Sequence, residues 1–232
     1  MLKRFLLFVF SVLYWIWFIL TNIAFFSIGL IIWTVTVLFD KRLVILHLFS
    51  CFWGHSYIWL NPLWPLKITG RNNIKRGRTY VIISNHQSMV DILVLFGLFR
   101  HYKWVSKKEN FSIPIIGWLM RLNRYIEIER GRTRTYLNMM KKINNTLGSG
   151  SSILMFPEGT RNPGQGLGPF RDGAFRMALE NKVGFIPVIL NGTADTIPKG
   201  KIILTGKQRI RMKVLPEILY ESFRGKKPGE LM

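Results

Sequence analysis

Residues 80–91 read YVIISNHQSMVD, an apolar run that changes abruptly into a polar one. The first five residues are rich in β-branched and apolar side chains, which predicts a short buried strand. The polar residues follow at the carboxyl end of that strand, where open α/β sheets place their ligands. We therefore expect a functional site in the turn after this strand.

His86 and Asp91 are the candidate catalytic pair in that turn. A histidine accepts protons near neutral pH, and an aspartate on its other ring nitrogen orients it in hydrolytic triads. On a continuous helix the two side chains would point about 140° apart. We therefore predict His86 before a helix and Asp91 about one turn inside it, with the carboxylate bent back. A structural loop histidine followed by an acid at the start of a helix is an alternative that fits the same spacing. Ser88 is a weaker candidate for a nucleophile, because the G-x-S-x-G sequence typical of such a serine does not surround it.

A second polar turn, PEGTR at residues 157–161, follows another predicted buried strand at residues 152–156. The guanidinium of Arg161 offers planar, paired donors that match a phosphate. Gly159 allows close backbone approach to a ligand. Glu158 is suited to hold Arg161 or to accept a hydrogen bond from a substrate hydroxyl. A surface turn with an internal ion pair is the alternative.

The two motifs together resemble the glycerophosphate acyltransferase family, and within it most resemble the 1-acylglycerol-3-phosphate acyltransferases. NHQSMVD precedes FPEGTR by about seventy residues, in the order that this family shows. Lys107, Pro114 and Gly117 match the family element between them, and VGFIPV at residues 183–188 matches the last element. Arg124 departs from the family, which usually has glycine there, while Arg130 keeps the later arginine of the same element.

The resemblance implies a role for each matching residue. His86 would be the general base, oriented by Asp91. The acceptor phosphate would bind Arg161 and Lys107, helped by Arg130. The remaining residues would shape the glycerol site: Glu158, Gly159 and Thr160.

The resemblance also implies a reaction. An acyl chain would pass from a thioester, acyl-CoA or acyl carrier protein, to the sn-2 hydroxyl of 1-acylglycerol 3-phosphate (lysophosphatidic acid), giving phosphatidic acid for phospholipid synthesis. The thioester is a substrate, so no cofactor is expected. Other acceptors remain open: glycerol 3-phosphate, a lysophospholipid with a headgroup, or a lyso-aminolipid. A non-catalytic, basic membrane-binding module is the alternative from another class.

The net charge and the cysteine and histidine content limit which partners and metal ions we expect. With 33 Lys+Arg against 12 Asp+Glu, the formal net charge is +21, which favours an anionic partner. No recognition-helix, RNP-type or zinc-finger pattern supports nucleic acid, so we expect none as a partner. The single cysteine and four histidines lack the spacing of a metal site. We therefore expect neither a metal nor an intrachain disulfide.

The N-terminal region is strongly apolar, with no acidic, basic or histidine residue at positions 5–39. A single span needs about 20 apolar residues, so this stretch is long for one span and short for two. A break at Thr21 and Asn22 would give two short helices, a hairpin dipping into one leaflet. Lys and Arg at both ends predict that both ends, and with them the catalytic domain, face the cytoplasm. If the protein is bacterial, the membrane is the inner membrane. A single tilted transmembrane helix and a cleaved signal peptide are the alternatives.

The rest of the chain alternates predicted strands with predicted helices. This pattern predicts an α/β fold with a central mixed β-sheet flanked by helices, beside the N-terminal two-helix membrane-associated hairpin. We assign residues 1–60 to the membrane-associated helices and residues 61–232 to the catalytic domain. Residues 202–205 and 210–214 are predicted to pair as a hairpin around Gly206 and Lys207.

Overall fold

The computed structural model describes residues 1–129, 133–164, 166–197 and 202–231. The helices are α1 (Leu2–Thr36), α2 (Val44–Trp59), α3 (Val90–Phe96), α4 (Ile116–Leu122), α5 (Thr133–Gly148) and α6 (Gly173–Asn181). The strands are β1 (Leu66–Thr69), β2 (Tyr80–Ser84), β3 (Tyr102–Lys107), β4 (Ile126–Ile128), β5 (Ser152–Met155), β6 (Gly184–Asn191) and β7 (Ile210–Val214). The alternation of strands and helices confirms the predicted α/β fold.

The strands form a mixed sheet in the order β1-β7-β6-β2-β5-β3-β4. Strands β6, β2, β5, β3 and β4 run parallel, whereas β7 runs antiparallel to β6 and pairs in parallel with β1. The predicted mixed sheet is therefore confirmed. Because the carboxyl ends of parallel strands meet at one edge, the turns after β2, β5 and β3 lie side by side there.

Helices cover both faces of the sheet. Ile82 of β2 belongs to the core on the side of α1, α2 and α3, while Val81 and Ile83 belong to the core on the side of α5 and α6. All five residues of β2 are buried. A strand that is covered on both faces has no polar face, which explains its uninterrupted apolar sequence.

The first helix continues through the position where the sequence predicted a break. Thr21 Oγ1 donates to the carbonyl of Trp17 at 2.7 Å, and Asn22 Nδ2 donates to that of Phe18 at 2.6 Å. Both side chains also contact the hydroxyl of Tyr57 in α2, at 2.9 and 3.0 Å. Their polar groups are thus satisfied inside the packed helix pair. The predicted break was wrong, although a two-helix arrangement exists: its turn lies at residues 37–43.

Helix α1 lies along the domain with one face buried and the other exposed. Its buried residues include Asn22, Gly29 and Thr36, which recur every seven residues on one face. On the opposite face large apolar side chains are exposed, among them Phe5, Val12, Ile16, Ile19, Ile23, Leu30 and Val35. By length and composition alone, α1 could cross a membrane. The domain limits at residues 60 and 61 stay a prediction.

The predicted hairpin before β7 does not form, because residues 202–205 contact α1 instead. The indole Nε1 of Trp15 donates to the carbonyl of Ile202 at 2.7 Å, and the Leu204 amide donates to Ser11 Oγ at 3.0 Å. Strand β7 takes its partners from β6 and β1. This hairpin prediction was therefore wrong, since the α1 side chains satisfy the backbone groups that a hairpin would have used.

Candidate active site

The turn between β2 and α3 brings His86 and Asp91 together, as their spacing predicts. Strand β2 ends at Ser84 and α3 begins at Val90, so His86 precedes the helix and Asp91 lies in its first turn. The distance from His86 Nδ1 to Asp91 Oδ2 is 2.9 Å. The imidazole is 15% exposed and the carboxylate is fully buried. The imidazole is therefore accessible to a substrate, whereas the carboxylate is shielded from water.

Asp91 fixes the histidine by holding the backbone around it. Its Oδ2 also accepts the amides of Gln87 at 2.6 Å and Ser88 at 2.8 Å. A carboxylate can only accept, so His86 Nδ1 donates to it and Nε2 is left with a free lone pair. That is the tautomer a general base needs.

Aromatic packing against one face of the ring holds the imidazole in place. The ring of Phe156, the first residue after β5, stacks on His86 with centroids 3.9 Å apart and planes at 11°. Trp104 of β3 lies against Phe156 at 5.7 Å. The carbonyl of His86 accepts the amide of Asn162 at 2.7 Å. The turn after β5 thus supports the base through both its side chains and its backbone.

Glu158 connects the two motifs through backbone amides. Its Oε1 accepts the His86 amide at 2.9 Å, and its Oε2 accepts the Gly168 amide at 3.0 Å. The residue is 5% exposed. A Cβ on Gly168 would lie 2.5 Å from Oε2, so this close approach requires glycine. Among the described residues Glu158 forms no ion pair with Arg161, and its observed contacts position the base.

The predicted phosphate-binding residues lie at the same edge of the sheet. Lys107 ends β3 and is exposed, and Arg161 is half-buried in the turn after β5. In the part of the chain that the structure describes, neither side chain has an ion-pair partner. Thr160 is exposed beside Arg161, whereas Arg130 lies outside the described residues. Gly159 adopts a left-handed φ of 66°, which favours glycine.

The structure adds contacts that the sequence did not suggest. The side chain of Asn85 donates to the Leu190 carbonyl at 2.9 Å and accepts the Leu190 amide at 2.8 Å. Thr193 Oγ1 donates to Gln87 Oε1 at 3.3 Å. These bonds join the catalytic turn to β6 and to the loop after it. The only sequence signal for them is the position of Asn85 directly before His86.

Arg124, the departure from the family pattern, lies in the tight turn between α4 and β4. Its φ is 53°, in the left-handed region where glycine is at no steric disadvantage. The guanidinium reaches the Lys41 carbonyl at 3.4 Å. The turn therefore keeps the backbone shape of a glycine turn despite the bulky residue, away from the catalytic pair.

The arrangement is suited to removing a proton from a hydroxyl beside an anion. A buried acid orients the imidazole, and two cations that have no ion-pair partner among the described residues, Lys107 and Arg161, lie at the same edge. Among the described residues, no group of three or more His, Cys, Asp or Glu side chains is placed to hold a metal ion. The expected absence of a metal stays a prediction.

Comparisons with known proteins identify the same region. A family profile described as Acyltransferase matches residues 65–191. A 1-acyl-sn-glycerol-3-phosphate acyltransferase of Chlamydomonas reinhardtii is 33% identical over 193 residues, 82% of this chain and 58% of that protein. A chloroplastic enzyme of the same name from Brassica napus is 36% identical over 166 residues, 71% of this chain and 48% of that protein. The chain thus spans about half the length of these relatives.

A solved structure shares the fold. The crystal structure of the 1-acyl-sn-glycerophosphate acyltransferase of Thermotoga maritima matches with a TM-score of 0.73 and 21% identity, covering 96% of this chain and 88% of that one. The matched family region includes both polar turns and the strands that carry them. The chain therefore belongs to the acyltransferase family.

Proposed function

We propose that this protein transfers an acyl chain from a thioester to the sn-2 hydroxyl of lysophosphatidic acid, giving phosphatidic acid. The observation that carries the proposal is the bond between His86 Nδ1 and the buried Asp91, 2.9 Å long, at the sheet edge that also holds Arg161 and Lys107. The names of the relatives support the acceptor, since they are 1-acyl-sn-glycerol-3-phosphate acyltransferases.

The proposed reaction begins when the acceptor phosphate binds Arg161 and Lys107. His86 Nε2 then removes the proton of the sn-2 hydroxyl as the oxygen attacks the thioester carbonyl. Asp91 stabilises the resulting imidazolium across the bond to Nδ1. The C–S bond breaks as the tetrahedral intermediate collapses, and the imidazolium returns its proton to the leaving thiolate. The products are the diacyl lipid and the free thiol.

The donor is proposed to be acidic, either acyl-CoA or acyl carrier protein, with no separate cofactor. Lys67 of β1 is the register partner of Arg211 in β7, and both are exposed, as is Lys213. Like charges on neighbouring strands destabilise a sheet. An anionic partner would offset that repulsion, and Arg211 in turn is the register partner of Asn191 at the active-site end of β6.

The two N-terminal helices are proposed to keep the site at lipid depth. The exposed face of α1 is apolar from Phe5 to Val35, and the exposed side chains of α2 include Phe52 and Trp59. A helix with one face on the protein and the other apolar is suited to lie in one leaflet. Basic residues before and after the apolar stretch at positions 5–39, together with the excess positive charge, favour a catalytic domain on the cytoplasmic side.

Thiol release tests this function directly. Membranes that contain the protein would be given an acyl thioester and lysophosphatidic acid, and the lipid product would be identified. We expect His86→Ala to lower the rate by about 10²–10⁴-fold, because proton transfer by a positioned base is worth that much. His101→Gln is the matched control, since His101 precedes β3 at the opposite edge of the sheet.

Repeating the assay with a panel of acceptors separates the remaining candidate functions. Release with glycerol 3-phosphate or another lysolipid, but not with lysophosphatidic acid, would keep the acyltransferase and change its acceptor. A folded, membrane-bound protein that is inactive with every acceptor would contradict the proposal and favour the non-catalytic module.

A further inference from the structure

Two adjoining cavities lie along one face of α1, away from His86. The larger has a volume of about 550 Å³ and is lined by Lys3, Leu6, Leu7, Phe10, Leu63, Gly206 and Lys207. The smaller has a volume of about 340 Å³ and is lined by Phe10, Leu13, Tyr14, Trp17 and Leu60. Phe10 lines both, so the two cavities adjoin along α1, and we refer to them together as the groove.

The groove follows the helix axis. Its α1 residues, at positions 3, 6, 7, 10, 13, 14 and 17, recur at the three- and four-residue intervals of a single helical face. At 1.5 Å per residue this stripe is roughly 21 Å long. A groove of that length suits an extended hydrocarbon chain better than a compact ligand.

Among the described residues, the basic side chains that line the groove lie at one end. They are Lys3 and Lys207, both exposed in the larger cavity, and no acidic residue of the described part of the chain lines either cavity. The other side chains that line it are aliphatic or aromatic, including Leu6, Phe10 and Leu13. A ligand that matches the groove therefore carries an anion at one end and an apolar chain behind it.

The walls of the groove are held by hydrogen bonds between distant segments. Ser11 and Trp15 of α1 bind the backbone of residues 202–204, which lead to Lys207. Tyr14 Oη donates to the Tyr57 carbonyl of α2 at 3.2 Å. The groove is therefore part of the folded structure, with lysines brought together from two ends of the chain.

We propose that this groove binds an anionic glycerophospholipid of the bilayer. The lipid phosphate lies between the ammonium groups of Lys3 and Lys207, and one acyl chain lies along Leu6, Phe10 and Leu13. The proposal goes beyond the acyl-transfer reaction, because none of the residues at the catalytic edge lines the groove. The lipid holds the N-terminal part of α1 against the domain and is not consumed.

Lipid retention by the full-length protein in neutral detergent tests the site. Native mass spectrometry would measure binding of phosphatidylglycerol and of phosphatidylcholine with the same chains. In both lipids the sn-2 hydroxyl of the diacylglycerol backbone is already esterified, so neither is the acceptor of the proposed reaction. We expect one phosphatidylglycerol per chain, bound about 30-fold more weakly by Lys3→Gln/Lys207→Gln, because each lysine near an anionic lipid contributes about fivefold. Leu6→Trp, which fills the groove, should weaken binding as well.

The matched control is Lys226→Gln/Lys227→Gln, which removes the same charge from exposed positions near the C-terminus. Unchanged binding in this control, and in His86→Ala, supports a groove site that is independent of the proposed reaction. Equal loss in both double variants would overturn the proposal, since the binding would then reflect overall charge. Retained binding in Leu6→Trp, or displacement by millimolar inorganic phosphate, would also overturn it, because the acyl chain would then not occupy the groove.

Discussion

Replacing Glu158 with glutamine distinguishes a residue that positions the base from one that binds substrate. The carboxylate accepts the amide of His86 through Oε1 and that of Gly168 through Oε2, at 2.9 and 3.0 Å. Glutamine keeps one acceptor oxygen and presents an NH₂ group to the other amide. One buried amide donor therefore loses its partner, while the size of the side chain hardly changes.

The expected cost follows from these two bonds. A hydrogen bond to a buried charged group contributes about 1.5–3 kcal/mol, and a buried donor without a partner costs a similar amount. We therefore expect Glu158→Gln to lower the free energy of unfolding by roughly 2–3 kcal/mol. For a chain of this size that is a fall in Tm of about 4–12 °C. A displacement of His86 by about 1 Å is worth up to 10²-fold in rate, so kcat should fall by about 10–100-fold.

The assay combines steady-state thiol release with thermal unfolding of the same preparation. The KM for lysophosphatidic acid should stay within about threefold of wild type, because the side chains proposed to bind the phosphate, Arg161 and Lys107, are untouched. Gly168→Ala is the companion variant, since its Cβ would lie 2.5 Å from Glu158 Oε2 and disturb the same bond from the other side. A Glu158→Gln protein with normal Tm and kcat but a raised acceptor KM would refute this reasoning and assign the carboxylate to the substrate.

Three further changes test other parts of the structure. Asp91→Asn should lower activity in the thiol-release assay by on the order of 10⁴-fold, because an amide favours the wrong histidine tautomer; activity near wild type would exclude the orienting role. Arg124→Gly should leave Tm unchanged or raise it by a few degrees, whereas Arg124→Val should lower it, since a β-branched residue is strained at a φ of 53°. Burial lowers the pKa of Lys103 from 10.5 to about 7, with smaller effects from Asp40, which raises it, and Arg124, which lowers it. Between pH 7 and 10 the unfolded chain therefore binds one more proton than the folded chain, so the free energy of unfolding should rise with pH, by up to roughly 4 kcal/mol. Lys103→Met should flatten that rise in unfolding curves measured at pH 7, 8 and 9.

The amino-acid sequence was sufficient for the features that depend on local pattern. The apolar run before Asn85 predicts a short buried strand, and the spacing of His86 and Asp91 predicts that the carboxylate bends back to the ring. Each of the two polar turns follows a predicted buried strand, at the end of the strand where open α/β sheets place their ligands. These predictions succeeded because each depends on a few neighbouring residues or on a general property of α/β sheets.

Tertiary structure decided the features that depend on distant partners. Thr21 and Asn22 suggested a helix break, but the hydroxyl of Tyr57, 36 and 35 positions away, satisfies them inside a continuous helix. The backbone of residues 202–205 binds α1 rather than β7, through a bond from Leu204 to Ser11 that spans 193 positions. The contact of Glu158 with the His86 amide spans 72 positions. A polar group is satisfied by whichever partner the fold brings within hydrogen-bond distance, and local sequence does not contain that information.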